Sequence, residues 1–231
     1  MPEPTLLIPG LASTPQFYAA QIPALWHFGP VMLAQHTGAD DIAAIARDML
    51  ASAPPSFALA GHSMGGYIAF EIVRQAPRRI TRLAMIGTSA LADTAEQTAR
   101  RRQQMAIAAK GRYDEIVDQQ FPLFVHASRQ HDVQLRATMH RMANDCGAEV
   151  FVRQQAAIIG RADSRPTLVS IACPTCVVVG DSDQLTPPAR AQEIAIGIAG
   201  ATLVTIRDCG HMSAIERPDE VTAALCAWKE A

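Results

Sequence analysis

The sequence predicts an α/β fold, a doubly wound and mostly parallel sheet, and three observations carry that expectation. Four short apolar runs are separated by three segments whose apolar residues recur at helical spacing. Each run is apolar throughout rather than alternating, as strands buried on both faces are, so helices must cover both sides of the sheet. After a long stretch with helical patterns only, the strand signal returns twice.

In chain order, the first strand is Thr5-Leu6-Leu7-Ile8, closed by Pro9-Gly10-Leu11-Ala12-Ser13, and Pro15 to Leu25 reads as an amphipathic helix. Pro30-Val31-Met32-Leu33-Ala34 is the second strand. A polar turn containing Gly38 leads into a helix opened by Asp40-Asp41 and running through Leu50, with Ile42, Ile45, Met49 and Leu50 on its apolar side; Pro54-Pro55 stops it. The third strand begins at Phe57 and the fourth is Thr81 to Gly87, reached after a break at Pro77. From about Leu91 to Asp163 only helical spacing remains, over Thr94 to Lys110, Tyr113 to His126, Gln130 to Ala143 and Glu149 to Ile159, with Gly111, Pro122 and Gly147 as punctuation. The strand Thr175 to Gly180, a helix from Ala189 to about Ile198, the strand Ala201 to Ile206 and a helix from Asp219 to Trp228 complete the chain. The expected division is a core of residues 1–90 and 164–231 carrying a helical insertion, 91–163.

The third strand is the chemically informative one. Phe57-Ala58-Leu59-Ala60 ends in Gly61-His62-Ser63-Met64-Gly65 and passes straight into Tyr67-Ile68-Ala69-Phe70-Glu71-Ile72-Val73, so a Gly-x-Ser-x-Gly motif sits between strand and helix. A serine at such an elbow is held in a strained conformation, and the residues two before and two after it must lack side chains that would collide. The turn lifts the Ser63 hydroxyl above the sheet, next to the free N–H groups and positive end of the helix that follows. A short pattern of this kind also arises by chance; the strand before it and the helix after it are what favour a nucleophile.

Composition excludes several classes of partner. With 20 Lys and Arg against 22 Asp and Glu, a net charge of −2, and 49% hydrophobic residues, the chain offers no electrostatic footprint for nucleic acid or an anionic membrane and has material for a large core. No basic-then-apolar leader opens the sequence and no apolar run is long enough to span a bilayer, so a cytoplasmic location is expected. The five cysteines, an odd number and scattered, do not look like a secreted disulfide framework. Cys173-Pro174-Thr175-Cys176 invites a redox or zinc reading, but it leads into a strand, where residues three apart lie roughly 10 Å from one another, too far to bridge. No second pair completes a metal site, so buried thiols are the expectation and no metal or cofactor is assigned.

Ligands of an open α/β sheet bind at the carboxyl ends of its strands. Asp181 and Asp183 follow the fifth strand and Cys209-Gly210-His211 follows the sixth, so the order after Ser63 is acid, then histidine. At this point the chain resembles the α/β-hydrolase superfamily over nearly its whole length. The residues that carry the likeness are Leu7-Ile8-Pro9-Gly10-Leu11, Gly61-His62-Ser63-Met64-Gly65-Gly66, Gly180-Asp181-Ser182-Asp183-Gln184-Leu185-Thr186-Pro187 and Gly210-His211-Met212-Ser213-Ala214-Ile215-Glu216-Arg217-Pro218. The resemblance implies that Ser63 is the nucleophile, His211 the general base and Asp183 the acid that orients it, with Asp181 as its rival. It also implies an oxyanion hole from the backbone N–H groups of Leu11 and Met64, and that the helical insertion is a lid. Its implied substrates are small carboxylic esters, lactones, thioesters or activated carbon–carbon bonds, taken without a cofactor.

Two departures from the family pattern stand out. Pro9 occupies a position where histidine is common; the oxyanion donor is a backbone group, so what the change touches is the support behind that loop. The sequence also enters directly on the oxyanion strand, which implies a sheet of about six strands with its first edge trimmed, an edge that a homodimer would cover. Ester hydrolysis through an acyl-enzyme is the leading reading, a lactonase or carbon–carbon hydrolase the alternative. A ligand-binding or cofactor-free member of the fold is the reading from another class, and it gives no chemical reason for Ser63, Asp183 and His211 to occur together.

Among the remaining candidates, His62 is expected to point away from the cleft in a structural role; His36, after the second strand on the active-site edge of the sheet, is a candidate to line the pocket, with a solvated loop residue as the expectation. His126, His131 and His140 are expected at the surface. Phe121, Leu123, Phe124, Met139, Met142 and Phe151 give the insertion an apolar face that packs on the core and lends some wall to a pocket. Arg100-Arg101-Arg102 reads as a solvated helix face that an anionic substrate or carrier could also use.

Overall fold

The computed structural model describes residues 2–231. Its elements are β1 (Thr5–Ile8), α1 (Ile22–Trp26), β2 (Val31–Leu33), α2 (Ile42–Ser52), β3 (Phe57–His62), α3 (Met64–Gln75) and β4 (Ile80–Ile86), followed by α4 (Ala95–Ala108), α5 (Tyr113–Phe124), α6 (Val133–Cys146) and α7 (Ala148–Ile159), and then α8 (Arg165–Leu168), β5 (Thr175–Gly180), α9 (Pro188–Gly197), β6 (Thr202–Ile206), α10 (Ser213–Glu216) and α11 (Pro218–Glu230). The six strands form one sheet in the order β2-β1-β3-β4-β5-β6, and every pairing is parallel. The α/β fold of the sequence reading is therefore present, and β2, three residues long, closes the first edge with no further strand beyond it among the described residues.

Period-two alternation within the strands builds two cores. Leu6 and Ile8 of β1, Phe57 and Leu59 of β3, Leu83 and Met85 of β4, and Val177 and Val179 of β5 pack with α2, α3 and α9 on one face. Leu7, Ala58, Ala60, Ala84, Ile86, Cys176 and Val178 point the other way, against Leu25 of α1 and Val221, Leu225 and Trp228 of α11. Burial on both sides is why the strands read as continuous apolar runs.

The insertion has a small core of its own, in which Tyr113, Ile116 and Val117 of α5 meet Ala143 of α6 and Phe151 of α7. Two of its four helices, α4 and α6, begin at side-chain caps. Thr94 and Gln97 form a reciprocal capping box at α4, and Asp132 Oδ1 accepts from Leu135 N at 2.9 Å at α6. Pro122 lies inside α5, in its last turn, rather than ending it. The expected helix from Pro15 to Leu25 does not form. Pro23, with no N–H to donate, cannot sit in a helix interior, and the chain makes a 3₁₀ turn over Pro15–Tyr18 and starts afresh at Ile22, with Pro23 in the first turn of α1.

The strand order reverses between β1 and β3, and that reversal positions the site. The loop after β1 and the turn after β3 leave adjacent strands, with Ile8 paired to Gly61, in opposite directions. They border a crevice at the carboxyl edge of the sheet.

Candidate active site

Ser63 joins β3 to α3 with φ 52° and ψ −114°, a backbone conformation that costs a non-glycine residue roughly 1–3 kcal/mol. Hydrogen bonds to β4, to the loop after it and to α3 hold it there: Ser63 N donates to Ile86 O at 2.9 Å, and its carbonyl accepts from Thr88 Oγ1 at 2.8 Å and from Gly66 N at 2.9 Å. The flanking glycines are required by contact. A Cβ on Gly61 would run into the Gly65 carbonyl, and one on Gly65 into the Ile8 carbonyl of β1. Because the helix starts on the next residue, no backbone carbonyl accepts from Met64 N among the described residues, and the same holds for Leu11 N in the loop after β1.

The two acid candidates separate. Asp183, buried at 3% exposure, contacts His211: its Oδ2 lies 2.8 Å from His211 Nδ1 and accepts from Thr186 Oγ1 at 2.7 Å. Its Oδ1 accepts from the N–H groups of Leu185 and Thr186, each at 2.9 Å. Burial pushes this carboxyl up, but the facing imidazole and the Thr186 hydrogen bonds outweigh it and hold Asp183 below its ordinary value. Since an ionised carboxylate only accepts, His211 Nδ1 carries the proton and Nε2 is left as a base. Asp181 is exposed and faces elsewhere, accepting from Asp208 N and Cys209 N at 3.1 and 3.2 Å. It shapes the loop that presents His211 without reaching the ring.

Behind the β1 loop, where Pro9 stands, the support comes from two residues the sequence did not single out for it. His36 is buried rather than solvated, and its Nε2 lies 2.9 Å from the Gly10 carbonyl, to which it can only donate. Gln154, fully buried on α7, accepts from Ala12 N at 2.9 Å through Oε1 and donates to His36 O at 3.3 Å. Ala12 itself has φ 52°, so the loop that carries Leu11 N is clamped from the sheet on one side and from the insertion on the other. No spacing rule links positions 10, 36 and 154, which is why sequence reading left them apart.

His62 also departs from its expected place. Its ring stacks on Phe17 with centroids 4.0 Å apart, lies 4.8 Å from the His211 ring, and donates from Nε2 to His211 O at 3.0 Å, so it borders the cleft instead of turning away. Burial first, then the neighbouring His211, pushes its pKa down to about 3. His62 is therefore a neutral strut beneath the histidine loop.

The cleft is lined by Ser63 and His211 together with residues of the insertion, including Thr94, Gln97, Arg100 and Arg101 of the α4 segment and Gln120 and Phe124 of α5. The insertion is tied to the histidine loop directly. His211 N and Met212 N donate to Phe124 O at 2.8 and 3.1 Å, while Glu216 accepts from His126 N at 2.7 Å and from Gly210 N at 3.0 Å. Glu216 sits within the Gly210–Pro218 motif, yet its role is visible only once those two backbones meet. An apolar side pocket opens off the cleft at Leu11, Phe124 and Met212 and is walled by Tyr113, Val117, Met139, Met142 and Phe151. His140 pairs with Asp118 at 3.0 Å, and His126 binds Ser128; neither borders the cleft. The five thiols are unpaired. Among the described residues, no group of three or more His, Cys, Asp or Glu side chains is placed to hold a metal ion, and no helix is long and apolar enough to cross a membrane.

A parallel sheet wound on both faces, a strained serine between β3 and α3, and a buried Asp–His pair on later loops define a class of protein, and comparison with known families agrees with it. The alpha/beta hydrolase family model matches residues 5–224, and the chain belongs to that family. Pimeloyl-[acyl-carrier protein] methyl ester esterase of Aromatoleum aromaticum is 27% identical over 193 residues, which cover 77% of this chain and 75% of that protein. A thermophilic esterase from Thermogutta terrifontis, solved with malate bound, superposes with a TM-score of 0.90 at 25% identity, over 99% of this chain and 89% of that one. The enol-lactonase of Burkholderia xenovorans LB400 shares the fold with a TM-score of 0.90 at 23% identity, covering 100% and 92% of the two chains.

Proposed function

We propose that this chain is a serine hydrolase of small carboxylic esters that works through an acyl-enzyme. Ser63 attacks the ester carbonyl; His211 Nε2 takes the hydroxyl proton and returns it to the departing alkoxide, and Asp183 holds the imidazole in the Nδ1–H tautomer and stabilises the imidazolium that forms. The N–H groups of Leu11 and Met64 receive the oxyanion. Water, deprotonated by the same histidine, then adds to the acyl-enzyme carbonyl, and Ser63 leaves with the proton. The observation that carries the reading is the buried 2.8 Å contact of Asp183 with His211 in a cleft that also exposes Ser63. The esterase names of relatives that align over most of the chain support it.

The test is the initial hydrolysis rate on p-nitrophenyl esters of increasing acyl length, wild type beside Ser63→Ala. A rate with an optimum in acyl length that Ser63→Ala loses by at least about 10³-fold is the expected result, with the denaturant midpoint of the variant close to that of wild type. Equal rates in the two proteins would sink the assignment. Activity absent from both would redirect the search to lactones and carbon–carbon substrates.

A further inference from the structure

The cleft has an electrostatic asymmetry that ester hydrolysis does not require. Four arginines line it, Arg100, Arg101, Arg161 and Arg190, and among the described residues no Asp or Glu does, in a chain whose net charge is −2. Two of the four are committed to the framework. Asp93, with its side chain 1% exposed, accepts from Arg101 Nε at 2.6 Å and Arg161 Nη1 at 2.5 Å. Arg101 also donates to Gln155, and Arg161 donates to Leu91 O and lies 4.1 Å above the Tyr67 ring. One carboxylate thus balances two guanidinium groups.

The other two are uncommitted. Arg100 has no carboxylate partner among the described residues, and Arg190 has only Glu193 at 3.9 Å, an exposed contact of little strength. Both are exposed, one on α4 of the insertion and one on α9 of the core, so the two elements that border the cleft each present a free guanidinium to it. Positive charge of that kind, lining a cleft with no acidic side chain among the described residues, concentrates anions, and a guanidinium presents paired N–H donors that match the oxygens of a carboxylate or phosphate.

We propose that Arg100 and Arg190 select esters that carry an oxyanion, a carboxylate or phosphate, at a distance from the scissile bond. The proposal rests on the ester-hydrolase reading and names its substrate class. Arg101 and Arg161 act at longer range, as the positive wall that Asp93 only half neutralises.

Two matched pairs of substrates test it, each differing by one anionic group: monomethyl suberate against methyl octanoate, and S-octanoyl-4′-phosphopantetheine against S-octanoylpantetheine. In wild type, kcat/KM is expected to favour the charged member of at least one pair by roughly tenfold or more. The preference should reside mainly in KM, shrink as salt is raised, and fall toward one in the Arg100→Gln/Arg190→Gln double variant, whose two changes are at exposed positions. A preference in the first pair identifies a carboxylate on the acyl chain as the anion; a preference in the second alone identifies a phosphate on the leaving group. Equal rates within both pairs would overturn the proposal. If no compound is hydrolysed, the ester reading fails by itself, and calorimetry with suberate and 4′-phosphopantetheine decides the anion site. Binding that the double variant loses keeps the site, and absence of binding, or binding unaffected by the two changes, removes it.

Discussion

Asp183 and Asp181 are two residues apart and chemically identical, and only their neighbours distinguish them. Asp183 is buried with both oxygens occupied, one of them by the His211 ring; Asp181 is exposed on loop N–H groups. Asp183→Asn keeps the shape but presents an amide that can donate to Nδ1 and impose the wrong tautomer, so kcat on a p-nitrophenyl ester is expected to fall by about 10⁴-fold. Asp181→Asn retains acceptors for Asp208 and Cys209 and is expected to stay within about threefold of wild type, a change well under 1 kcal/mol of barrier. The opposite ranking in a side-by-side assay would exchange the two roles. Motif spacing reached the pair and the family resemblance favoured Asp183, but spacing by itself could not show which carboxylate meets the imidazole, because that contact spans 28 positions.

At the scale of elements, the loop after β1 shows how a local departure is absorbed. Pro9 supplies no polar side chain behind the loop, and the Gly10 carbonyl and Ala12 N–H are instead met by His36, just after β2, and Gln154, on α7. His36→Phe fills the same space without the donor and leaves the buried Gly10 carbonyl unmet, at a stability cost of about 1–3 kcal/mol. Since Leu11 N is proposed to serve the oxyanion rather than the bound ester, the kinetic effect is expected mainly in kcat, about tenfold, with KM little changed. Gln154→Leu is expected to act the same way from the insertion side. A rise in KM at constant kcat would instead make these residues part of the substrate pocket. The insertion is therefore more than a cover: through Gln154, and through Phe124 and Glu216 at the histidine loop, it supports both loops that flank Ser63.

For the whole molecule, the buried histidines set a pH dependence of stability. His62 titrates near 6.5 when unfolded but is held down to about 3 in the fold, chiefly by burial. Between those values the unfolded chain binds a proton that the native protein refuses, so stability is complete above about pH 6.5 and declines as pH falls toward 3, by up to about 1.4 kcal/mol per pH unit. His36, also pushed down by burial, adds in the same direction. Urea midpoints measured across this range are expected to fall steeply for wild type and less steeply for His62→Gln, which keeps a donor for His211 O. Parallel curves would mean that His62 is protonated in the native state, contrary to its burial against Phe17.

Apart from the one-turn helices α8 and α10, which were not foreseen, the sequence by itself determined the order of the strands and of the longer helices, their burial on both faces, the elbow at Ser63 and the shortlist of Asp181, Asp183 and His211. All of these depend on periodicity, turn chemistry and spacing within a few residues of one another. Even the failed helix at Pro15–Leu25 is a local matter, decided by the missing N–H of Pro23. Tertiary structure alone decided which aspartate meets His211, that His36 and His62 are buried struts, that Gln154 and Glu216 bind loops far from them in sequence, and which two of four cleft arginines remain free. Each of those outcomes depends on a hydrogen bond or ion pair between segments that only the closed sheet and its helical insertion bring within 3 Å or so. Chain-local patterns carry no record of such distances.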